Sequence, residues 1–253
     1  MSREDDVYPE VFARFYDLIY AAIRHETDSR FYLDRIAEAH GPVLEVGVGT
    51  GRLFCKALAE GADIYGIDSS PSMVGVLKKK LPPEQHHRVI IADVRRFHMP
   101  QTFDLIIAPF RVFGHLLEIR DQLAALDRIY DHLRPGGIFI FDLFVPDPEK
   151  ISRGLTEHCD FEGEVEPGRK MRRITSARSD PVNQVTHATF RFEWEDEQGL
   201  QRYTWNYPLR FYYQWELEHL LARSKLKLQT ILGDFEGNPL TENSKEFVLI
   251  CKK

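Results

Sequence analysis

Cysteine is scarce in this chain of 253 residues, with three in all, Cys55, Cys159 and Cys251. They lie far apart and form neither a C-x-x-C pair nor a zinc-ligand spacing. The expectation is therefore no disulfide framework and no metal site, only buried free thiols in a reducing cytosol. Long apolar runs are missing as well. The longest, such as IFIF ahead of Asp142, are strand-length, far below the roughly 20 residues a membrane helix needs. The N-terminus, MSREDDVYPEVF, is acidic and lacks the apolar core of a secretory signal. There is no excess of positive charge: the formal net charge is -6. Binding to phosphates wants a basic face, so this balance argues against a nucleic-acid substrate. What remains is a chain expected to be cytoplasmic and off the membrane. Its length suits one α/β domain with an insertion better than two independent domains.

Periodicity supplies the organisation. Residues 7–24 carry Val11, Phe15, Leu18 and Ala22 at helical spacing, and SRFYLDRIAEAH makes a second helix that stops at Gly41-Pro42. Then strands and helices alternate: PVLEVG, ADIYGID, HRVIIADV, FDLIIAPF and IFIFDLF are strands, with helical stretches between them. In SSPSMVGVLKKKL, Ser70 is the expected N-cap and Pro71 the first helical residue, with Lys78–Lys80 as a solvated, dipole-favoured end. In the helix after the fourth strand, Leu116, Ile119, Leu123, Leu126, Tyr130 and Leu133 share a face. This alternation predicts a parallel sheet covered on both faces. From about residue 150 the period changes to two. Phe190/Phe192/Trp194 and Tyr203/Trp205/Tyr207 place rings on alternate positions, and no convincing helix lies between Pro146 and Tyr213. Here three or four antiparallel strands are expected to form a small separate sheet. LKLQTIL and KEFVLICKK then close the main sheet as an antiparallel pair. The predicted division is a helical cap over 1–40, a main domain over 41–150 and 214–253, and a β insertion over 151–213.

The stretch VLEVGVGTGRL carries the chemistry. Its glycines, Gly47, Gly49 and Gly51, are spaced G-x-G-x-G, and Arg52 stands where a dinucleotide fingerprint needs its third glycine. Glu45 sits two residues before the first glycine. It would repel a pyrophosphate and suit an ammonium group. Asp68, at the end of the next strand and 21 residues after Gly47, can take both ribose hydroxyls. Asp93, at the end of the third strand, can accept from an exocyclic amine, with backbone groups of Val94 on the ring edge. Together these residues describe adenosine with an amino-acid tail, which is S-adenosylmethionine.

At this point the chain resembles the class I S-adenosylmethionine-dependent methyltransferases. VLEVGVGTG, GIDSS, IIADV, FDLIIAPF and LRPGGIFIFDLF occur in that family's order and spacing over about residues 40–146. The resemblance implies an α/β, Rossmann-like fold with a seven-stranded, mostly parallel sheet whose last strand is antiparallel; the small antiparallel sheet is an addition to it. It also implies that Ser69 and Met73 line the adenine, Met73 having core packing as its plain alternative. The loop Ala108-Pro109-Phe110-Arg111-Val112-Phe113-Gly114-His115 would face the transferred methyl, with Pro109 on the cofactor. In the aromatic first helix, Tyr16 and Tyr20 are the expected cofactor neighbours. The insertion is similar to that of a branch with amino-sugar N-methyltransferases and glycine N-methyltransferase-like enzymes.

His115 is the candidate base, because an unperturbed imidazole titrates near neutral pH; its alternative is packing or capping the following helix. Arg111 is the candidate anchor for an anionic acceptor, or else a surface salt bridge. The run Arg169-Lys170-x-Arg172-Arg173 is expected on a solvated face, with an anionic substrate handle as the lesser option. The expected activity is methylation of a small-molecule N or O acceptor by a homodimer whose inserted rings cover the acceptor or pair with a second chain. A tRNA or protein methyltransferase is a second expectation, opposed by the acidic charge and by the absence of an N/D-P-P motif in the loop. A non-catalytic S-adenosylmethionine-binding protein is a third, and turnover with any acceptor would dismiss it.

Overall fold

The protein is described by a computed structural model over residues 8–23 and 27–253. Val7 and Arg24, the ends of the expected first helix, lie outside the described residues, as do residues 1–6, 25 and 26 of the expected 1–40 cap. Along the chain come α1 (Glu10–Ile23), α2 (Thr27–Ala37), β1 (Val43–Val46), α3 (Phe54–Ala59), β2 (Ile64–Asp68) and α4 (Pro71–Lys80). They are followed by β3 (Val89–Ile91), β4 (Phe103–Ala108), α5 (Ile119–His132), β5 (Leu133–Phe144) and α6 (Pro148–Arg153). Then come β6 (Leu155–Glu166), β7 (Arg169–Asp180), β8 (Val185–Asp196) and β9 (Gly199–Arg210), and finally α7 (Gln214–Ala222), β10 (Lys227–Leu232) and β11 (Glu246–Lys252). The chain forms two compact units. One joins α1 to residues 147–210; the other joins the described residues up to 146, from α2 onward, to residues 211–253. The N-terminal helices, expected as one cap, therefore fall in different units.

The larger unit holds a seven-stranded sheet in the order β10-β11-β5-β4-β1-β2-β3. Strands β1 to β5 are parallel, and β11 runs antiparallel to both β5 and β10. Period-two alternation sorts the strand residues between two cores. Leu44, Val46, Ile106 and Ala108 join α5 and α7 in one. Val43, Leu105 and Ile107 join α2, α3 and α4 in the other. Both faces are covered, which explains why these strands read as unbroken apolar runs. Strand order reverses between β1 and β4, so their carboxyl ends mark the switch point at which open α/β sheets bind ligands. The buried face of α5 is turned from the expected one. Gln122, Ala125, Leu126, Ile129 and His132 are buried, while Ile119 is 50% exposed.

In the smaller unit four antiparallel strands run in the order β6-β7-β8-β9. Phe190 pairs in register with Trp205 and Phe192 with Tyr203, so the two ring trios share one face of the sheet and do not make two faces. Helix α1 covers that face. Phe12 lies 4.8 Å from Trp205, 5.8 Å from Phe192 and 5.9 Å from Phe190, and Phe15 lies 5.6 Å from Trp194. The buried stripe of α1 is thus Phe12, Phe15 and Ile19, while Leu18 is 37% exposed, against expectation. Phe192 is fully buried. Of the rings thought to need a second chain, Phe190, Phe192, Trp194 and Trp205 are met by α1, while Tyr203 stays 37% exposed.

Strand alternation also corrects the basic run. Lys170 and Arg172 face outward, but Arg173 is only 2% exposed and bonds both oxygens of Asp160 at 2.7 and 3.0 Å. Its guanidinium lies 4.8 Å over the Phe190 ring. A helix that period-two patterning concealed, α6, starts where Asp147 accepts from the N–H groups of Glu149 and Lys150, with Pro148 at its first position. Of the three free cysteines, Cys251 is buried, Cys55 half-buried and Cys159 exposed. No helix among the described residues is long and apolar enough to cross a membrane.

Candidate active site

Strand β1 ends at Val46, and the turn that follows is held to β2. The N–H groups of Gly47 and Val48 both donate to the Ile67 carbonyl, at 2.8 and 3.0 Å. Gly47, Gly49 and Gly51 all adopt positive φ, at 70°, 56° and 87°, where a side chain is strained. They differ in surroundings. A Cβ on Gly51 would lie 2.2 Å from Leu77 Cδ1, and one on Gly47 2.4 Å from Val112 Cγ2. Gly51 therefore does the packing that the missing third glycine of a dinucleotide turn would do. At Gly49 a Cβ would make only ordinary contacts, and the N–H of Gly49 donates to Asp68 at 2.9 Å. Arg52 reaches to α2. Its fork grips the buried Asp28 at 2.7 Å and also Ser29, tying α2 to the turn. Lys80, expected only as a solvated helix end, donates to the Thr50 carbonyl at 2.9 Å.

Asp68, at the end of β2, takes one backbone N–H on each oxygen, from Gly49 and from Ser70 at 2.8 Å. A carboxylate has about four acceptor sites, so acceptor capacity remains beyond these two bonds. Burial raises its pKa. Ser70 caps α4 as expected, accepting the Met73 N–H. Met73 is buried but belongs to neither core; its methyl sits 3.5 Å from a Cβ built on Gly49. The side chain thus lines the turn. Ser69 follows Asp68 directly. Asp93 is engaged differently: Arg95 donates to it through backbone and guanidinium at 2.6–3.0 Å and reaches on to Asp121. Burial pushes the Asp93 carboxyl up, but those bonds outweigh it and hold it below the usual range. Val94 is half-buried against the core.

Glu45 is 3% exposed within β1. Burial raises its carboxyl to about 8, against the opposing charge of Arg52 and a bond from the Phe54 N–H. Its Oε2 is buried and has no hydrogen-bond partner among the described residues. An unpaired buried carboxylate oxygen is costly, and an ammonium group is the donor that would satisfy it. The residues present therefore fit the amino-acid tail of S-adenosylmethionine.

The loop after β4 is unusual. Phe110 and Arg111 both have left-handed φ, at 62° and 61°, which costs on the order of 1–3 kcal/mol per non-glycine residue. Asp142, buried in β5, holds them by accepting both of their N–H groups at 2.7 and 3.2 Å, and it also accepts the Tyr32 hydroxyl at 2.7 Å. Pro109 precedes this pair. Arg111 donates to Glu246 at 2.7 Å, a half-buried pair and not a surface one. His115 closes a short 3-10 turn over Val112–His115, and burial lowers its imidazole to about 4. It is neutral at pH 7, able to accept a hydrogen bond but weak as a base. Tyr16 and Tyr20 belong to α1 and so to the smaller unit, where their rings lie 4.4 Å apart and Arg173 lies 5.3 Å over Tyr20. Asp142, Tyr32, Asp28 and Glu246 were not foreseen. The one local signal was an acid inside the apolar run IFIFDLF.

Burial pushes four carboxyls in the larger unit upward: Glu45, Asp68, Asp142 and Glu246. Arg52 and Arg111 are the guanidinium groups acting on them. Such a site is short of positive charge and suits a cationic ligand. Among the described residues no group of three or more His, Cys, Asp or Glu side chains could hold a metal ion.

Residues 43–137 match the family described as "Methyltransferase domain". An uncharacterized methyltransferase from Bacillus cytotoxicus is 32% identical over 151 residues, covering 59% of this chain and 63% of the relative. The chain thus spans about 60% of the length of the curated relatives it matches, 63% and 57% for two of them. Among solved structures, an S-adenosylmethionine-dependent methyltransferase from Clostridium acetobutylicum superposes with a TM-score of 0.76 at 19% identity, covering 96% of this chain and 97% of that one. CalS10, an amino pentose methyltransferase from Micromonospora echinaspora with SAM bound, gives 0.70 at 20% identity over 97% and 98%. A methyltransferase domain is thus matched across the glycine turn, and the fold is that of S-adenosylmethionine-dependent methyltransferases of known structure.

Proposed function

We propose that the protein transfers a methyl group from S-adenosylmethionine to a nitrogen or oxygen of a small molecule. The observation that carries this is the buried, unpartnered Oε2 of Glu45 beside the glycine turn, which calls for an ammonium-bearing ligand. In this proposal Glu45 holds the ammonium, Asp68 the ribose hydroxyls, and Met73 and Ser69 the base. Val94 meets the ring edge. Asp93 would accept from the adenine amine with the acceptor capacity that Arg95 leaves. When bound, the cofactor supplies a methyl on a sulfonium already primed to react. The chain's own task is then to position the acceptor and exclude water. The Asp142-clamped loop with Pro109 and the neutral His115 is where we place the acceptor.

A small-molecule acceptor is favoured by the net charge of -6 and by the loop sequence Ala108-Pro109-Phe110-Arg111, which lacks the N/D-P-P motif. Likeness to the amino pentose methyltransferase points the same way. The deciding experiment has two parts. Calorimetry with S-adenosylmethionine and NADH should give saturable binding of the first only. Labelled methyl from the bound cofactor should then pass to a member of a small-molecule library and not to tRNA or protein. Micromolar NADH binding, or transfer to tRNA or protein alone, overturns the proposal. We also propose a homodimer, measured by light scattering at tens of micromolar, where a monomer overturns it.

A further inference from the structure

Of the four carboxyls pushed up by burial, three have a place already: Glu45 at the ammonium, Asp68 at the ribose and Asp142 under the loop. Glu246 has none. It is the first residue of β11 and pairs in register with Phe144, the last residue of β5. Because β11 is antiparallel, its first residue lies at the same sheet edge as the carboxyl ends of β4 and β5. Arg111 reaches it from the loop after β4, and Nη2 donates to Oε1 at 2.7 Å. A guanidinium fork can take both oxygens of a carboxylate, yet this one takes a single oxygen. Glu246 Oε2 and Arg111 Nε are both buried without a hydrogen-bond partner among the described residues. One carboxylate oxygen beside the methyl-facing loop is thus left for another donor.

We propose that Glu246 holds the methyl acceptor through Oε2 and takes its proton, and that the acceptor is a primary or secondary amine that arrives as an ammonium ion. This rests on the methyl-transfer function proposed above. One N–H of the ammonium donates to Oε2. Its proton passes to that oxygen, leaving a neutral amine with a free electron pair and a neutral Glu246. The pair forms the new N–C bond with the methyl that the cofactor supplies, and the electrons of the broken C–S bond stay on sulfur. Glu246 then returns its proton to solvent.

Acid strengths agree with this assignment. Burial raises the Glu246 carboxyl to about 7, Arg111 opposing and Asp142 and Asp28 reinforcing. The Tyr32 hydroxyl is already given to Asp142. Ammonium groups titrate at about 8–10, within a few units of this carboxyl. An alcohol resembles water, at about 15.7, and lies far beyond its reach. His115, at about 4, is weaker than Glu246 for the same task.

The test uses full-length protein loaded with S-adenosylhomocysteine. Small primary amines, amino sugars included, are titrated against alcohols matched carbon for carbon, into the wild type and Glu246→Gln. The amines alone should bind saturably, and Glu246→Gln should weaken them at least tenfold while S-adenosylhomocysteine affinity stays within twofold. With S-adenosylmethionine and the best-bound amine, kcat should rise with pH through about 7 and level off, and Glu246→Gln should lower it by about 100-fold and erase that limb. Preference for alcohols, failure of every amine to bind, or an unchanged limb in Glu246→Gln overturns the proposal. Failure of the wild type to bind S-adenosylhomocysteine overturns instead the function on which it rests.

Discussion

Glu45 offers the sharpest link between burial and ligand. In the ligand-free protein its carboxyl titrates at about 8, so at pH 7 it is about ten parts protonated to one ionised. An ammonium-bearing ligand wants the ionised form. Binding must therefore expel a proton, and at pH 7 this costs about 1.4 kcal/mol, one pH unit's worth. The bound carboxyl has the lower pKa, so affinity rises with pH and flattens as pH approaches 8. Between pH 6 and 7 the rise should be about tenfold, with close to one proton released per ligand. The window ends near pH 8 because the ligand's own amino group, at about 7.7–8.0 for a typical α-amine, begins to discharge there. Calorimetry of S-adenosylhomocysteine in two buffers of different ionisation enthalpy counts the protons directly. Glu45→Gln should bind more weakly at pH 7.5 and lose both the pH slope and the proton release. That variant separates Glu45 from Glu246, Asp68 and Asp142, which are also pushed upward. A wild-type affinity that is flat from pH 6 to 7.5, with no proton released, would refute the assignment of Glu45 to the ammonium.

Three further outcomes are expected. Asp68→Ala removes the acceptor proposed for two ribose hydroxyls and should cost roughly 1.5–3 kcal/mol, ten- to a hundredfold in S-adenosylhomocysteine affinity by calorimetry; unchanged affinity in a folded variant sinks the ribose assignment. Gly51→Ala meets both a positive φ and Leu77 at 2.2 Å. It should lower the unfolding free energy, measured by denaturant titration, by more than the roughly 1 kcal/mol of a typical point substitution, and wild-type stability would contradict the packing role given to that glycine. Phe12→Ala opens a cavity among Phe190, Phe192 and Trp205 and should cost about 3–5 kcal/mol, read as early loss of amide protection in 155–210 by hydrogen exchange; unaltered protection would mean that α1 does not hold that sheet.

Much of the main sheet was legible because its information is local. VLEV, FDLIIA and IFIFDLF are short apolar runs bounded by turn residues, and Ser70-Pro71 states a helix start in two letters. Local signals failed where the deciding contact was distant. The stripe of α1 was read as Val11, Phe15, Leu18 and Ala22, but the helix turns Phe12, Phe15 and Ile19 toward rings some 180 residues later. Arg173 looked like one member of a basic run, yet alternation along β7 carries it inward to Asp160 while Arg172 stays out. The short helix Pro148–Arg153 was hidden because six residues hold too few turns to show a period.

The same distinction divides the candidate site. The glycines and acids proposed for the cofactor, Glu45 to Asp93, lie within about 50 residues of one another, and their spacing exposes them. Residues that shape the proposed acceptor end come from far apart: Tyr32 meets Asp142 across 110 positions, and Arg111 meets Glu246 across 135. Apart from the acid inside IFIFDLF, neither pair leaves a trace in any window of sequence. Their consequence is specific nonetheless. Two consecutive left-handed residues, Phe110 and Arg111, are tolerated only because Asp142 accepts both of their N–H groups, and that clamp aims Arg111 at Glu246. The cofactor end of the fold can therefore be read from a motif. The proposed acceptor end depends on one buried acid that sets a loop and a second that the loop's arginine leaves half satisfied, so in this proposal acceptor choice changes through Asp142, Arg111 or Glu246 while the glycine turn stays as it is.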